Sequence, residues 1–222
     1  MPDIAKTSPP KAAAKVPAKT SLLNRYTSLP IALDALYKKQ ITLLNPETWE
    51  DRNDAYYLER YREEMRFRSV LAICFSLHSE TFHHWRIFSF GSSGVCIEFD
   101  KDKLLKSIPA DRGFRHGKVS YHWIGEWENK KPKLEAWPFL KRKAFEDERE
   151  YRITFESKTE NLRAKSISIE LSSIKKVTLS PWLPDSVAKS VINIIKELDG
   201  CANLDVSRSS LINNAGWRAI IA

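Results

Sequence analysis

The chain has 222 residues, a formal net charge of +8, 42% apolar residues and 11% aromatic residues. That length supports one sizeable core, and seven tryptophans with seven tyrosines exclude a generally disordered polypeptide. No run approaches the roughly 18 apolar residues that span a bilayer, so no membrane partner is expected, and the moderate basicity suits a nucleotide or nucleic-acid partner without requiring one.

Residues 1–20, MPDIAKTSPPKAAAKVPAKT, combine Pro, Ala and Lys with almost no large apolar side chain. Such a segment cannot bury enough surface to offset its ordering entropy and is expected to be a disordered basic arm. It also lacks the continuous apolar stretch of a secretory signal. Residues 22–222 read as a single globular domain. Ser28 is placed to cap a helix that begins near Pro30, with Leu33, Leu36 and Tyr37 on one face. The short strand QITLLN stops at Asn45-Pro46. Asp54 is placed to cap a second helix, in which Tyr57, Tyr61 and Met65 recur every four residues and are assigned to the core. The continuous apolar run VLAICFS predicts a strand covered on both faces.

A short helix at TFHHWRIF, the turn GSSG, the strand VCIEFD and the helix KDKLLKSI follow. Strand-like KVSYHW then leads into the basic, aromatic KPKLEAWPFLKRKAF, which Pro138 interrupts. Next come the strand EYRITF, alternating SISIEL, KKVTLS, a helix over 185–198 and a last strand near ANLDVS. Strands and helices are interspersed and no linker divides them. The pattern predicts one α+β domain with a mixed or antiparallel sheet flanked by helices.

Cys74, Cys96 and Cys201 lie far apart among apolar neighbours and read as reduced thiols of a cytoplasmic protein. There is no CxxC pair, and His83-His84 has no second cluster at ligand spacing, so no metal site is expected. Neither a phosphate-binding glycine motif nor a hydrolase triad is present; Gly91 and Gly94 permit close backbone approach, to a ligand or within a tight hairpin.

The densest chemistry lies in AFEDEREYRITF. A strand over 148–156 would send Tyr151, Ile153 and Phe155 into the core and line Glu148, Glu150, Arg152 and Thr154 along the other face. Two carboxylates beside a guanidinium can hold a ribose and a phosphate; equally, Glu150 and Arg152 can pair weakly on a wet surface. In NRYTSL, Arg25 and Tyr26 can meet a ligand, or Tyr26 can pack while Thr27 and Ser28 start the helix. Asn53-Asp54 can be a turn and cap alone.

Taken in order, Tyr26-Thr27-Ser28, Asn53-Asp54, Cys74-Phe75-Ser76, Trp85, Gly94-Val95-Cys96-Ile97-Glu98-Phe99, Lys143 and Glu148-x-Glu150-Tyr151-Arg152 resemble the motifs of a bacterial family, domain of unknown function 2971, over residues 22–213. Ala55 stands where that family has proline, and Phe88 where it has tyrosine. More remotely, the pattern looks like the ADP-ribosyltransferase superfamily. That resemblance implies NAD as co-substrate, with Glu150 steadying an oxocarbenium-like sugar as nicotinamide leaves and Glu148 orienting the acceptor. It also implies ligand contacts from Tyr26, Thr27 and Trp85, with Arg25 or Arg152 on the pyrophosphate. A toxin or phage-defence effector would fit that chemistry. The alternative reading is a non-catalytic nucleic-acid- or protein-binding module, for which Lys130, Lys131, Lys133, Lys141, Arg142 and Lys143 interleave with Trp137 and Phe139.

Overall fold

A computed structural model describes residues 21–89, 91–110, 112–127 and 131–221; the expected basic arm at 1–20 lies outside the described residues. The chain runs β1 (Leu22–Ser28), α1 (Leu29–Lys38), β2 (Gln40–Leu44), α2 (Arg52–Glu64), β3 (Ser69–Ser76), α3 (Phe82–Phe88), β4 (Gly94–Asp100), α4 (Lys101–Lys106), β5 (Phe114–Lys118) and β6 (Ser120–His122). It continues through β7 (Leu140–Arg142), β8 (Glu150–Ser157), β9 (Ala164–Ser168), β10 (Ile174–Leu179), α5 (Asp185–Glu197), β11 (Val206–Arg208) and α6 (Ala215–Ala219). The fold is α+β, as expected. Nine strands form a mixed sheet in the order β11-β10-β4-β1-β3-β2-β9, with β8 added to β3 and β5 to β8. All these pairings are antiparallel except β10–β11, and β6 and β7 make a separate parallel pair.

One edge of β3 is taken along its whole length by β8, from Ser69↔Ser157 to Ser76↔Glu150. β1 and β2 must therefore share the other edge, at Asn24↔Ser76 and Leu44↔Ala72, and the sheet forks between them. The guanidinium of Arg25 reaches into this fork and donates to the Cys74 carbonyl at 3.0 Å, supplying a bond that no strand makes there.

The two faces of the sheet are built differently. On one, Leu23, Leu71, Ile73, Phe75, Val95, Ile97, Tyr151, Ile153 and Phe155 form the main core beneath Ala32 and Leu36 of α1, Leu104 of α4 and Ala188, Val191 and Ile195 of α5. On the other lie two small apolar clusters. Tyr26, Trp85 and Cys96 pack together under α3, and Leu58, Tyr61 and Val70 under α2. A buried polar strip from β3 and β8 shares this face.

Several local expectations change. The segment 22–28, expected only to precede a helix, is a strand inside the sheet. Ser28 ends β1 at the helix boundary, but its side chain makes no capping bond. The second helix is capped by Asp51, whose carboxylate accepts from the backbone of Asn53 and Asp54 at 3.0 and 3.3 Å; Asp54 is released from that role. Strand β8 begins at Glu150, where the run EYRITF places it and two residues after the start of the strand considered over 148–156. Glu148 sits in a 3-10 segment, Lys143–Glu148, and Arg149 turns the chain with a left-handed φ of 42°. The basic, aromatic stretch before β8 forms a 3-10 segment, Leu134–Phe139, followed by β7. A short C-terminal helix, α6, was not anticipated.

Candidate functional site

Strand alternation places Glu150, Arg152 and Thr154 opposite the main core, as the sequence predicts, but this face is covered. Burial changes the chemistry. Arg152 is 0% exposed and uses all five of its N–H donors. Nε and Nη2 meet Glu150 Oε1 and Oε2 at 2.6 and 3.0 Å. Nη1 and Nη2 meet Asp54 Oδ1 and Oδ2 at 2.9 and 2.6 Å, and Nη1 also donates to the Pro138 carbonyl at 2.8 Å. The Trp49 ring lies 5.1 Å from the guanidinium carbon. The expectation of a weak surface pair is overturned: these are two desolvated forks on one guanidinium.

Lys141 completes the network. Its Nζ lies 2.5 Å from Glu148 Oε2, 3.0 Å from Glu150 Oε2 and 3.4 Å from Asp54 Oδ2. Three carboxylates thus face two cations, with Asp54, Glu150 and Arg152 buried and Lys141 and Glu148 nearly so. Burial alone would raise the pKa of Glu150, but Arg152 and Lys141 outweigh it and hold the carboxyl below its usual range. Burial dominates at Glu148 and pushes its carboxyl up, against the pull of Lys141. Burial, followed by the Glu150 charge, raises the neighbouring Cys74 thiol, which remains free like Cys96 and Cys201. Tyr121 fixes the start of β8 by accepting the Glu150 backbone N–H at 2.8 Å.

The network opens outward. Asp54 and Lys141 form part of the wall of a cavity of about 400 Å3, whose other walls include Tyr57, His122, Trp123 and Trp127. The His122 ring packs edge-on to Trp127 at 4.8 Å, and its Nδ1 lies 2.7 Å from Glu126 Oε2. Tyr57, expected in the core with Tyr61, is instead 41% exposed at this cavity, whereas Tyr61 is buried.

The candidate residues fall into two groups. Glu148, Glu150 and Arg152 share the ionic network, and Arg25, the other guanidinium named for the pyrophosphate, approaches through the Cys74 carbonyl. Burial lowers the pKa of Arg25. Tyr26 and Trp85 meet each other instead, edge to face at 5.2 Å beneath α3, and Thr27 is buried at the end of β1. The Trp85 indole donates to Glu80 Oε1 at 2.7 Å. Neither Tyr26 nor Trp85 lines the cavity beside Asp54 and Lys141, but His84 links Tyr26 to the backbone of the 148–150 corner. Tyr26 stacks on His84 at 5.6 Å; His84 Nε2 lies 3.0 Å from Ser76 Oγ, which donates to the Glu148 carbonyl at 2.9 Å. Burial depresses the His84 pKa, so the neutral ring donates from Nε2 while Nδ1 accepts from Thr81.

Sequence reasoning missed the network roles of Asp54 and Lys141. The available signal at Asp54 was redundancy, since Asp51 already satisfies the cap three residues earlier. Lys141 carried none, because a lysine inside a basic run resembles a solvated one. Its burial also divides the basic-aromatic surface. Lys131, Lys133 and Arg142 are exposed and Lys130 lies outside the described residues, but Lys141 points inward, Trp137 packs on the α2 cluster and Phe139 lies under Arg115. Among the described residues no group of His, Cys, Asp and Glu is arranged to hold a metal ion, and no helix is long and apolar enough to cross a membrane.

No protein-family model matches the chain, so the resemblance to domain of unknown function 2971 has no support from that comparison; no curated protein matches it either. Among solved structures it is similar to DarT of Thermus sp. 2.9 in complex with ADP-ribosylated ssDNA, at 11% identity and a TM-score of 0.44, over 86% of this chain and 94% of that one. It is also similar to the same protein in complex with NAD+, at 10% identity and a TM-score of 0.45, over 86% and 96% of the two chains. Likeness at this level leaves the chemistry to be read from the chain's own residues.

Proposed function

We propose that the protein binds a nucleotide in the cavity beside Asp54 and Lys141, and that it transfers an ADP-ribosyl group from NAD to an acceptor. One observation carries this reading: two carboxylates with opposite pKa shifts, Glu150 and Glu148, share a single ammonium that also lines an aromatic-walled cavity. Transfer breaks the bond between the ribose C1′ and the nicotinamide nitrogen, and the electron pair leaves with nicotinamide. Positive charge develops on the sugar, and an ionised carboxylate in a low-dielectric site stabilises it. Glu150 supplies that charge in this reading. Glu148, whose carboxyl burial makes more basic, orients the acceptor nucleophile and takes its proton as the new bond to C1′ forms.

The cavity suits such a donor. Tyr57, Trp123 and Trp127 offer faces for planar rings, and the exposed Arg142, which lines the same cavity, is the cation offered to a diphosphate, Lys141 being already shared by three carboxylates. Arg152 is fully committed and fixes the carboxylates. Tyr26, Thr27 and Trp85 serve the site from behind, by packing the support on which the 148–150 corner rests through His84 and Ser76.

Incubation with NAD carrying a labelled adenylate tests the proposal, with nicotinamide release and labelled protein or oligonucleotide as readouts. Glu150→Gln should lower release at least 100-fold, a fall within the range for losing electrostatic transition-state stabilisation. Trp123→Ala, at an exposed position, should keep the fold and weaken NAD binding. Absence of both release and label across protein, DNA and RNA acceptors would overturn the reading.

A further inference from the structure

A second cavity, of about 600 Å3, lies on the other flank of α2, and nothing in the proposed transfer uses it. Three strand ends converge there: the start of β3 at Ser69, the residue after β2 at Asn45, and the residue before β9 at Arg163. The Arg163 carbonyl accepts from the Asn45 N–H at 3.0 Å, and the Arg68 N–H donates to the Ser157 carbonyl at 2.7 Å, so the sheet itself anchors both arginine backbones. The Ala55–Glu59–Arg62 side of α2 closes the wall.

The charge in this cavity is unbalanced. Arg52, Arg62, Arg68 and Arg163 line it against Glu47 and Glu59. Glu59 is already gripped by Arg62, Nε to Oε2 at 2.9 Å and Nη2 to Oε1 at 2.5 Å, and Arg52 is turned to the Glu47 carbonyl at 3.2 Å. The guanidiniums of Arg68 and Arg163 have no hydrogen bond or ion pair among the described residues. Guanidinium forks match phosphate oxygens in pairs, and they bind planar-facing oxyanions better than an ammonium does. Two free forks over one polar cavity, larger than a single phosphate fills, call for a ligand with several linked phosphates.

We propose that this cavity is a binding site for the phosphate chain of a small polyphosphate, a chemistry shared by inorganic triphosphate and nucleoside triphosphates. Arg68 and Arg163 grip the terminal groups, Arg62 and its partner Glu59 hold the wall in shape, and Tyr56, 62% exposed on the same wall, offers a stacking face if a base is attached. This inference is independent of the proposed transfer reaction.

Calorimetric titration of the full chain with inorganic triphosphate, at about 50 mM salt to limit screening, should show saturable binding that weakens as salt rises. The double variant Arg68→Ala/Arg163→Ala should bind at least tenfold more weakly while its circular dichroism and melting midpoint stay unchanged. Trp123→Ala, in the other cavity, should bind triphosphate as the parent does. Titration with ATP separates the two sources: equal affinity assigns the site to the phosphate chain, and tighter binding that Tyr56→Ala abolishes assigns it to a nucleoside triphosphate. Absence of triphosphate binding, or retention within twofold by the double variant, would overturn the proposal. Preferential capture of a short oligonucleotide over triphosphate would also overturn it, in favour of a polymer surface.

Discussion

Removing Arg152 tests the buried network most directly. Arg152→Leu deletes five hydrogen bonds and leaves Asp54, Glu148 and Glu150 facing Lys141 alone. The dominant cost comes from the carboxylates left behind, since breaking a buried ion pair by deleting one partner typically costs about 3–5 kcal/mol. An exposed pair would cost only about 0.2–1 kcal/mol. For a chain of this size about 2–4 °C accompanies each kcal/mol, so the melting midpoint should fall by about 6–20 °C at pH 7. Arg152→Lys keeps the charge but offers three donors where five are used, and should fall between parent and Leu variant. Urea and thermal unfolding followed by circular dichroism give both numbers. The deficit of Arg152→Leu should also shrink at acid pH, because the stranded carboxylates then protonate. A loss below about 1 kcal/mol would place the network in water and refute the reasoning.

Two further outcomes follow from the same structure. The Glu150 carboxyl titrates below its unfolded value of about 4.3, so its contribution is fully present above that pH and is lost as pH falls through the window beneath it; urea midpoints between pH 5 and 3 should drop less steeply in Glu150→Gln. Gly113 has a φ of +77°, and an added Cβ would lie 2.2 Å from the Glu156 carbonyl oxygen. Gly113→Ala should therefore destabilise by more than about 1 kcal/mol, and by more than Gly91→Ala, where φ is also positive but, chain neighbours aside, no atom of the described residues lies within 4 Å of an added Cβ.

The fold class and most elements were legible because period-2 and period-3.6 patterns record which side chains must leave water. VLAICFS became a strand buried on both faces, and the helix expected over 185–198 became α5, Asp185–Glu197. The strand Leu22–Ser28 was less visible. Its polar Asn24, Arg25 and Thr27 read as the lead into the first helix, and only the forked sheet gives the Arg25 guanidinium a carbonyl to satisfy. The cap of α2 was displaced by three residues because Asp51 and Asp54 are chemically equivalent in sequence.

At the candidate site, alternation along β8 was enough to set Glu150 and Arg152 on the face opposite Tyr151 and Ile153. That consequence of strand geometry needs no partner strand. Whether that face was wet or dry depended on elements far away in the chain. Asp54 comes from 98 residues before Arg152, and the Pro138 carbonyl and Lys141 from a 3-10 segment and a short strand with no clear periodic signature. The sequence by itself determined the alternation and the residue types; only the tertiary structure decided their dielectric environment. That environment makes the difference between a screened surface pair and a network of three carboxylates and two cations, because removing water strengthens every charge interaction and makes an unpaired charge costly.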